Sequence, residues 1–134
     1  TVLGYRFFIP EQLSYAQNNN IKIISTNELV LQSDLYQFGL EITKGIIRRD
    51  NRVYISVDLD VLDPSHAPAV GNPVAGGIST RQLMWLLAGI FQGLKTQKIS
   101  WDIVEYNPHY DSAEITAFTI VKLLLESLGA QIQK

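Results

Sequence analysis

Two carboxylates lie near the end of one aliphatic strand, and this feature constrains the fold more than any other in the chain. The predicted strand covers residues 53–61 and reads VYISVDLDV, with an aliphatic residue at every odd position. Because side chains alternate between the faces of a strand, Asp58 and Asp60 are expected to point the same way. Two ionised carboxylates this close repel each other and lose hydration, and a cation relieves both costs. The pattern therefore predicts a divalent metal site at the carboxyl end of a strand.

The segment after this strand has the composition of a ligand-binding loop. Residues 63–77 are rich in proline and glycine, which fix the backbone shape and let a ligand approach closely. Open α/β sheets bind ligands in loops just past the carboxyl ends of their parallel strands. A D-x-D triplet alone is a weak signal, because solvated strands also carry alternating acids. The loop makes the functional interpretation the stronger one.

Strand-like and helix-like patterns alternate along the chain. Strands are predicted at residues 2–8, 21–25, 53–61 and 99–104. Four helices are predicted. The first covers residues 10–18, and the second runs from an N-cap at Ser33 to a turn at Arg48-Arg49-Asp50-Asn51. The third begins at a capping box of Ser79 and Gln82, and the fourth begins near Asp111 and Glu114 and ends at Gly129. This alternation predicts a three-layer α/β/α fold around a mainly parallel sheet. A sheet of four strands has exposed edges, which are a liability unless something covers them.

Composition excludes several classes of protein. The net charge is −2 and no basic stripe occurs, so nucleic acid is not an expected partner. No apolar stretch reaches the roughly 20 residues of a membrane span, so no membrane partner is expected either. The chain has no cysteine, which excludes disulfides and favours a cytoplasmic protein. It also has no initiator methionine and opens on strand-like sequence, which predicts a fragment.

Two motifs resemble a known family. The run SVDLDVLDP at 56–64, followed by Pro68, Gly71, Pro73 and Gly76-Gly77, resembles the signature of the ureohydrolases, which include arginase and agmatinase. The run DIVEYNP at 102–108 resembles the last strand of that family and the acidic residue after it. The resemblance covers nearly the whole chain and matches the C-terminal half of the family. It implies that residues 1–134 form a single partial domain, with four strands of a roughly eight-stranded sheet.

The resemblance also implies a reaction and roles for individual residues. Asp58 and Asp60 would bind a pair of Mn²⁺ ions, and Glu105 would hold the guanidino group of a small substrate, which is hydrolysed to urea and an amine. The runs Asn107-Pro108-His109-Tyr110-Asp111 and Gly71-Asn72-Pro73 favour agmatinase. Arginase, guanidinobutyrase and formiminoglutamase remain alternatives.

Four further polar residues in these loops have two interpretations each. Asn72 either contacts substrate or shapes its turn, and His109 either lines the substrate pocket or is an exposed loop residue. His66 is interpreted as a rim residue, although histidine is a common metal ligand. Asp63 could be a third metal ligand, but it is interpreted as a turn former, because Asp-Pro commonly starts turns.

The chain departs from the family pattern in one respect. The family's Gly-Gly-His-type and Asp-Ala-His-x-Asp-type loops, which carry its other metal ligands, do not occur in this sequence. Two acidic side chains cannot complete the shells of two metal ions, so the isolated chain is expected to be inactive. Its complement would be the missing N-terminal half or a second chain. The complete enzyme is expected to be a homo-oligomer.

Two rival interpretations come from other classes. An aspartate-based phosphohydrolase also has an aliphatic strand ending in D-x-D, but it needs a later lysine and a later acidic pair. Here the fourth strand offers Asp102 and Glu105 with no lysine beside them. The other rival is a non-catalytic assembly module, which would bind no metal.

Overall fold

The computed structural model describes residues 1–47 and 52–132, with the side chains of residues 131 and 132 excepted. Its elements are β1 (Val2–Tyr5), α1 (Pro10–Asn18), β2 (Ile23–Ser25), α2 (Thr26–Val30), α3 (Leu35–Lys44), β3 (Arg52–Asp58), α4 (Thr80–Gly93), β4 (Lys98–Val104) and α5 (Ile115–Ile132). Short 3-10 turns follow β3 at Leu59–Val61 and β4 at Pro108–Tyr110. The turn predicted at Arg48-Arg49-Asp50-Asn51 lies outside the described residues. The order confirms the predicted alternation of strands and helices.

The strands pair in parallel, as predicted, but they form two sheets of two strands. β1 pairs with β2, and β3 pairs with β4 over seven consecutive positions, from Arg52 opposite Lys98 to Asp58 opposite Val104. No ladder joins β1 to β3 among the described residues. The expectation that the four strands form a single sheet is therefore wrong, although the parallel pairing is as expected.

The hydrophobic core includes residues of β3, the loop after it and helices α3, α4 and α5. Val57 is buried, and Val53 and Ile55 pack against the same cluster, whereas the intervening Tyr54 and Ser56 are exposed. Helices α3 and α4 cross closely because glycines stand at their contact. A Cβ added at Gly39 would lie 2.5 Å from the carbonyl oxygen of Leu86. The core thus holds β3 from one side, with its carboxyl end at the edge of the cluster.

Helix α5 packs against the rest of the chain through few apolar side chains. Its buried residues include Thr116, Leu123 and Ser127, while Phe118 and Leu125 are 66% and 63% exposed. An apolar stripe along this helix faces outward in this structure, and it consists of Ile115, Phe118, Val121, Leu125 and Leu128. No helix among the described residues is long and apolar enough to cross a membrane.

Several predicted boundaries move. The strand predicted to reach residue 61 ends at Asp58, and the helix predicted to end at Gly129 continues to Ile132, because a helix tolerates an internal glycine at a cost of about 1 kcal/mol. Asp34, rather than Ser33, caps α3. The capping box of Ser79 with Gln82 at the start of α4 is confirmed.

One helix was missed in the sequence. Ser25 caps α2, and its hydroxyl and the Glu28 carboxylate form a second capping box. The S-x-x-E pattern was available as a signal. The helix is short and has no long apolar stripe of its own, so periodicity did not indicate it.

The close crossing of α3 and α4 gives a test of packing. A methyl group at Gly89 would overlap the carbonyl oxygen of Tyr36, whereas nothing lies within 4 Å of a Cβ added at Gly129. Gly89→Ala should lower the free energy of unfolding by about 1–3 kcal/mol, the usual cost of overpacking. Gly129→Ala, the matched control, should be neutral or stabilising by about 0.4–1 kcal/mol. Urea unfolding of both variants measures the difference, and equal effects would contradict the packing.

Candidate functional site

The two carboxylates of the D-x-D motif lie together, but not by strand alternation. β3 ends at Asp58, and Asp60 belongs to the 3-10 turn that follows. The Asp58 side chain accepts a hydrogen bond of 2.8 Å from the backbone N–H of Asp60 and so caps that turn. The prediction that alternation aligns the pair is corrected: the turn, rather than the strand, places Asp60 beside Asp58.

The environment of Asp60 disfavours its charge. Burial raises the pKa of Asp60, and the neighbouring charge of Asp58 raises it further, while the backbone N–H of Asn72 and the charge of Arg6 lower it in part. Asp60 Oδ1 is buried and has no hydrogen-bond partner among the described residues. A bound cation would supply the missing partner and reverse the upward shift.

Arg6 is part of this site, although the sequence reasoning did not select it. It follows β1, and its guanidinium donates to the carbonyl oxygens of Asp60 and Val61, the latter at 3.2 Å. A cavity of about 340 Å³ is lined by residues that include Arg6, Asp58, Asp60 and Asn72. The available signal was a cationic residue near the carboxyl end of the strand predicted at residues 2–8, at the edge where the carboxylates were expected.

Glu105 follows β4 in an unusual backbone conformation. Its φ is +68°, in the left-handed region that residues other than glycine seldom adopt. The neighbouring backbone holds it there, because Val70 bridges to Tyr106 and the N–H of Asn107 donates to the Ala69 carbonyl at 3.0 Å. A Cβ at Gly71 would lie 2.7 Å from Glu105 Oε2, so the glycine leaves room for the carboxylate. Glu105 therefore lies against the loop that carries Asn72.

A buried network fixes this loop to the start of α5. Asp111 is 8% exposed and accepts hydrogen bonds from the N–H groups of Thr116 and Ala117 and from the Tyr106 hydroxyl. Burial raises the pKa of Asp111, but these hydrogen bonds outweigh it and the net shift is downward. The Thr116 hydroxyl in turn accepts from the N–H of Ala69 at 3.0 Å. The segment around Glu105 is thus anchored from both sides.

Asp63 has a structural environment, in agreement with the turn prediction. Its Oδ1 accepts from the Ser65 hydroxyl at 2.7 Å and from the Ser65 N–H at 3.0 Å, and its Oδ2 accepts from the Gly76 N–H at 2.9 Å. The Ser65 hydroxyl is the largest influence, and together these bonds lower the pKa of Asp63 to about 2. The carboxylate ties the two ends of the loop together.

The two histidines lie apart from the carboxylate pair in their contacts. His66 is half-buried, and its carbonyl oxygen accepts from the Thr119 hydroxyl. His109 is exposed in the 3-10 turn after β4, where its N–H donates to the Asn107 side chain. No hydrogen bond between either ring and Asp58, Asp60 or Glu105 is found in the described parts of the chain.

Asp102 is a second carboxylate with an open acceptor. Its Oδ2 accepts from the Tyr54 hydroxyl, while Oδ1 is buried and lacks a partner in the described part of the structure. The hydrogen bond from Tyr54 is the largest influence that lowers the pKa of Asp102, followed by that from Ser56. Asp102 lies opposite Ser56 in the ladder, so it belongs to the same strand pair as Asp58.

The donor atoms present fit part of a site for a hard cation. Asp58 and Asp60 offer carboxylate oxygens, which suit Mn²⁺ and Mg²⁺, and the orphaned Oδ1 of Asp60 lacks a positive partner. Over residues 1–47 and 52–132, no group of three or more histidine, cysteine, aspartate or glutamate side chains is arranged to hold a metal ion. The remaining ligands of any such ion would come from outside these residues.

Comparison with known sequences gives one family. The family model described as "Arginase family" matches residues 1–129. The agmatinase of Cronobacter sakazakii is 44% identical over 85 residues, which are 63% of this chain and 27% of that protein. The proclavaminate amidinohydrolase of Streptomyces clavuligerus is 29% identical over 126 residues, which are 92% of this chain and 36% of that protein.

Solved structures agree with the sequence match. The chain superposes on the arginase of Bacillus caldovelox with a TM-score of 0.81 at 29% identity. The superposition covers 98% of this chain and 42% of the arginase. The proclavaminate amidinohydrolase structure gives a TM-score of 0.80 at 27% identity, with 96% and 42% covered. The chain spans between 22% and 36% of the length of the curated relatives that it matches best.

The hydrogen bonds of Asp63 predict a specific pH dependence. A carboxyl whose folded pKa is about 2, against an ordinary value of 3.8, stabilises the fold above the ordinary pKa and loses that effect as the pH falls through the folded one. The Tm difference between the chain and Asp63→Asn should therefore be largest above pH 3.8 and shrink towards pH about 2. Glu11→Gln, an exposed control, should show no such trend. A difference that stays constant over this range would contradict the assignment.

Proposed function

Because the chain belongs to the arginase family, we propose that residues 1–134 form the C-terminal part of one catalytic domain that hydrolyses a guanidino compound to urea and an amine. The observation that carries this proposal is the position of three carboxylates at the ends of two paired strands. Asp58 is the last residue of β3, Asp60 lies in the turn after it, and Glu105 follows β4, which pairs with β3 in register. A cation-binding pair and a guanidinium-binding group would then lie on one edge of the sheet.

Asp58 and Asp60 would hold a pair of Mn²⁺ ions, together with ligands from the rest of the domain. When bound, the ions supply Lewis acidity that lowers the pKa of water and makes it nucleophilic near neutral pH. Asp60 is suited to this role, since burial and Asp58 both raise its pKa and a cation would keep it ionised. Arg6 holds the backbone of the same turn through the Asp60 and Val61 carbonyls.

Glu105 would orient the substrate. A carboxylate pairs with a planar guanidinium through two parallel hydrogen bonds, which fix both distance and angle. The bridge between Val70 and Tyr106 holds the backbone around Glu105 before any substrate arrives, which lowers the entropic cost of binding. Asn72 and His109 are the further candidates for contact with the substrate. Asn72 is the better placed of the two, because it lines the cavity that contains Asp58 and Asp60.

Agmatine is the substrate that we favour. Proteins named agmatinase are 42–46% identical to this chain over its matched part. The Asn107-Pro108-His109-Tyr110-Asp111 run supports the same choice through its resemblance to that branch of the family. The chain covers less than half of its structural relatives, so catalysis needs the remaining part of the domain, and the chain by itself is expected to be inactive.

Removal of either metal-binding charge should release manganese before it unfolds the protein. In the complete enzyme, Asp58→Asn or Asp60→Asn weakens the cation site directly, while the apolar side of β3 that packs on the core is unchanged. Metal analysis after desalting, combined with thermal unfolding, measures both effects. Asp63→Asn is the matched control, because it removes the same charge from the same loop and should keep full Mn²⁺. Full occupancy with normal turnover in both variants would reject the ligand assignment and favour a non-catalytic module.

Neutralisation of Glu105 should harm substrate handling and leave both metal ions in place. Hydrogen bonds to a charged group contribute about 1.5–3 kcal/mol. Glu105→Gln should therefore lower kcat/KM for agmatine by about ten- to a hundredfold. The exposed Glu114→Gln serves as the control and should leave kcat/KM unchanged. Loss of Mn²⁺ from Glu105→Gln would make Glu105 a metal ligand, and unchanged kinetics on agmatine, arginine and guanidinobutyrate would remove it from the site.

A further inference from the structure

Glu105 stands between two residues whose backbones are paired. Val104, before it, closes the β3–β4 ladder opposite Asp58, and Tyr106, after it, forms an antiparallel bridge with Val70. Glu105 itself has a φ of +68°. A residue other than glycine in this region costs free energy and persists only where its surroundings hold it. What fixes Tyr106 therefore also helps to fix Glu105.

The Tyr106 side chain makes a hydrogen bond that burial does not impose. Its hydroxyl donates to Asp111 Oδ2 at 3.1 Å. Tyr106 is 37% exposed, so water is an available alternative partner for this hydroxyl. Loss of hydration raises the pKa of Tyr106, and the hydrogen bond to Asp111 raises it further, so the hydroxyl keeps the proton that it donates.

Asp111 is a rigid acceptor for this hydroxyl. It is buried, and its two oxygens also accept from the backbone N–H groups of Thr116 at 3.1 Å and Ala117 at 2.8 Å. Both N–H groups lie in the first turn of α5, where backbone donors have no partner within the helix and a negative charge is favoured. Tyr106 is thus attached to an 18-residue helix rather than to a free loop.

Further hydrogen bonds close a ring around Glu105. The Thr116 hydroxyl accepts from the N–H of Ala69 at 3.0 Å, and the Ala69 carbonyl accepts from the N–H of Asn107 at 3.0 Å. Both Thr116 and Ala69 are fully buried. Within this ring, the Tyr106 hydroxyl is the direct side-chain link between the neighbour of Glu105 and helix α5.

We infer that Tyr106 is a positioning residue for Glu105: through its hydrogen bond to Asp111, it holds the Glu105 carboxylate in the orientation that pairs with a guanidinium. The inference rests on the proposed function, in which Glu105 binds the guanidino group of the substrate. Two parallel hydrogen bonds to a planar group depend on distance and angle, so a small rotation of the carboxylate weakens them. Tyr106 acts through the backbone of Glu105 and needs no contact with substrate or metal.

Tyr106→Phe isolates this hydrogen bond, because it removes a single oxygen atom. The aromatic ring and the backbone bridge to Val70 remain. Asp111 keeps its bonds from the start of α5, so the helix should stay in place. Tyr110→Phe is the matched control, since it makes the same change in the same loop at a residue that is 64% exposed.

Amide hydrogen exchange of the complete enzyme tests the anchoring. The reporter is the N–H of Asn107, which is bonded to the Ala69 carbonyl beside Glu105. Tyr106→Phe should make this amide exchange about tenfold faster, because local opening becomes easier, and Tyr110→Phe should leave it unchanged. Unchanged exchange in Tyr106→Phe would overturn the inference. Faster exchange in an enzyme without turnover would support the anchoring and count against the proposed function.

A double-mutant cycle tests the consequence for the substrate. Tyr106→Phe should lower kcat/KM for agmatine by about tenfold at unchanged Mn²⁺ content. In the Glu105→Gln background the same change should cost about twofold at most, because an effect that acts through Glu105 disappears with its carboxylate. Equal losses in both backgrounds would indicate a merely structural role and overturn the inference. An unaltered enzyme that turns over neither agmatine, arginine nor guanidinobutyrate would instead be a failure of the proposed function.

Discussion

The parallel register of β3 and β4 is the constraint on which the candidate site depends. Seven consecutive residue pairs fix Asp58 level with Val104, so Glu105 begins one residue beyond the end of the carboxylate strand. A slip of one residue would turn the side chains of β3 to the opposite face and expose Val53, Ile55 and Val57. Packing of those residues in the core cluster therefore also sets the position of the charges. Packing in the core, rather than contacts among the polar groups of the site itself, therefore determines the geometry of the site.

The site combines unfavourable charge with strong local anchoring. Asp60 is a carboxylate with a buried, unpaired oxygen beside a second carboxylate, and Glu105 has a left-handed backbone. Each of these features costs free energy in the isolated chain. The networks around Asp63 and Asp111 offset them by tying down both ends of the loop. This distribution is typical of a functional site, where local strain is held by a rigid surrounding structure.

Much of the fold and part of the site follow from the sequence. The capping box at Ser79, the aliphatic strand and the acidic pair at its end are local signals, and the structure contains all of them. The orientation of Asp60 was predicted from the wrong cause, because the Asp58 side chain captures the Asp60 N–H and ends the strand early. Arg6 and the left-handed Glu105 depend on contacts between distant segments, which periodicity does not report. The split sheet also had no local signal, since edge pairing depends on what lies between β1 and β3.

The outward apolar stripe of α5 and the separation of β1 from β3 have a common physical explanation. Phe118 and Leu125 stay exposed while threonine and serine side chains on the same helix are buried, which is the reverse of what a helix at a protein surface normally shows. A chain of this length buries only part of its apolar surface, so a helix face and a sheet edge stay open among the described residues. In the proposed complete domain, metal binding at Asp58 and Asp60 would stabilise the association of this chain with the remaining part, because a ligand that binds only the assembled form shifts assembly by mass action.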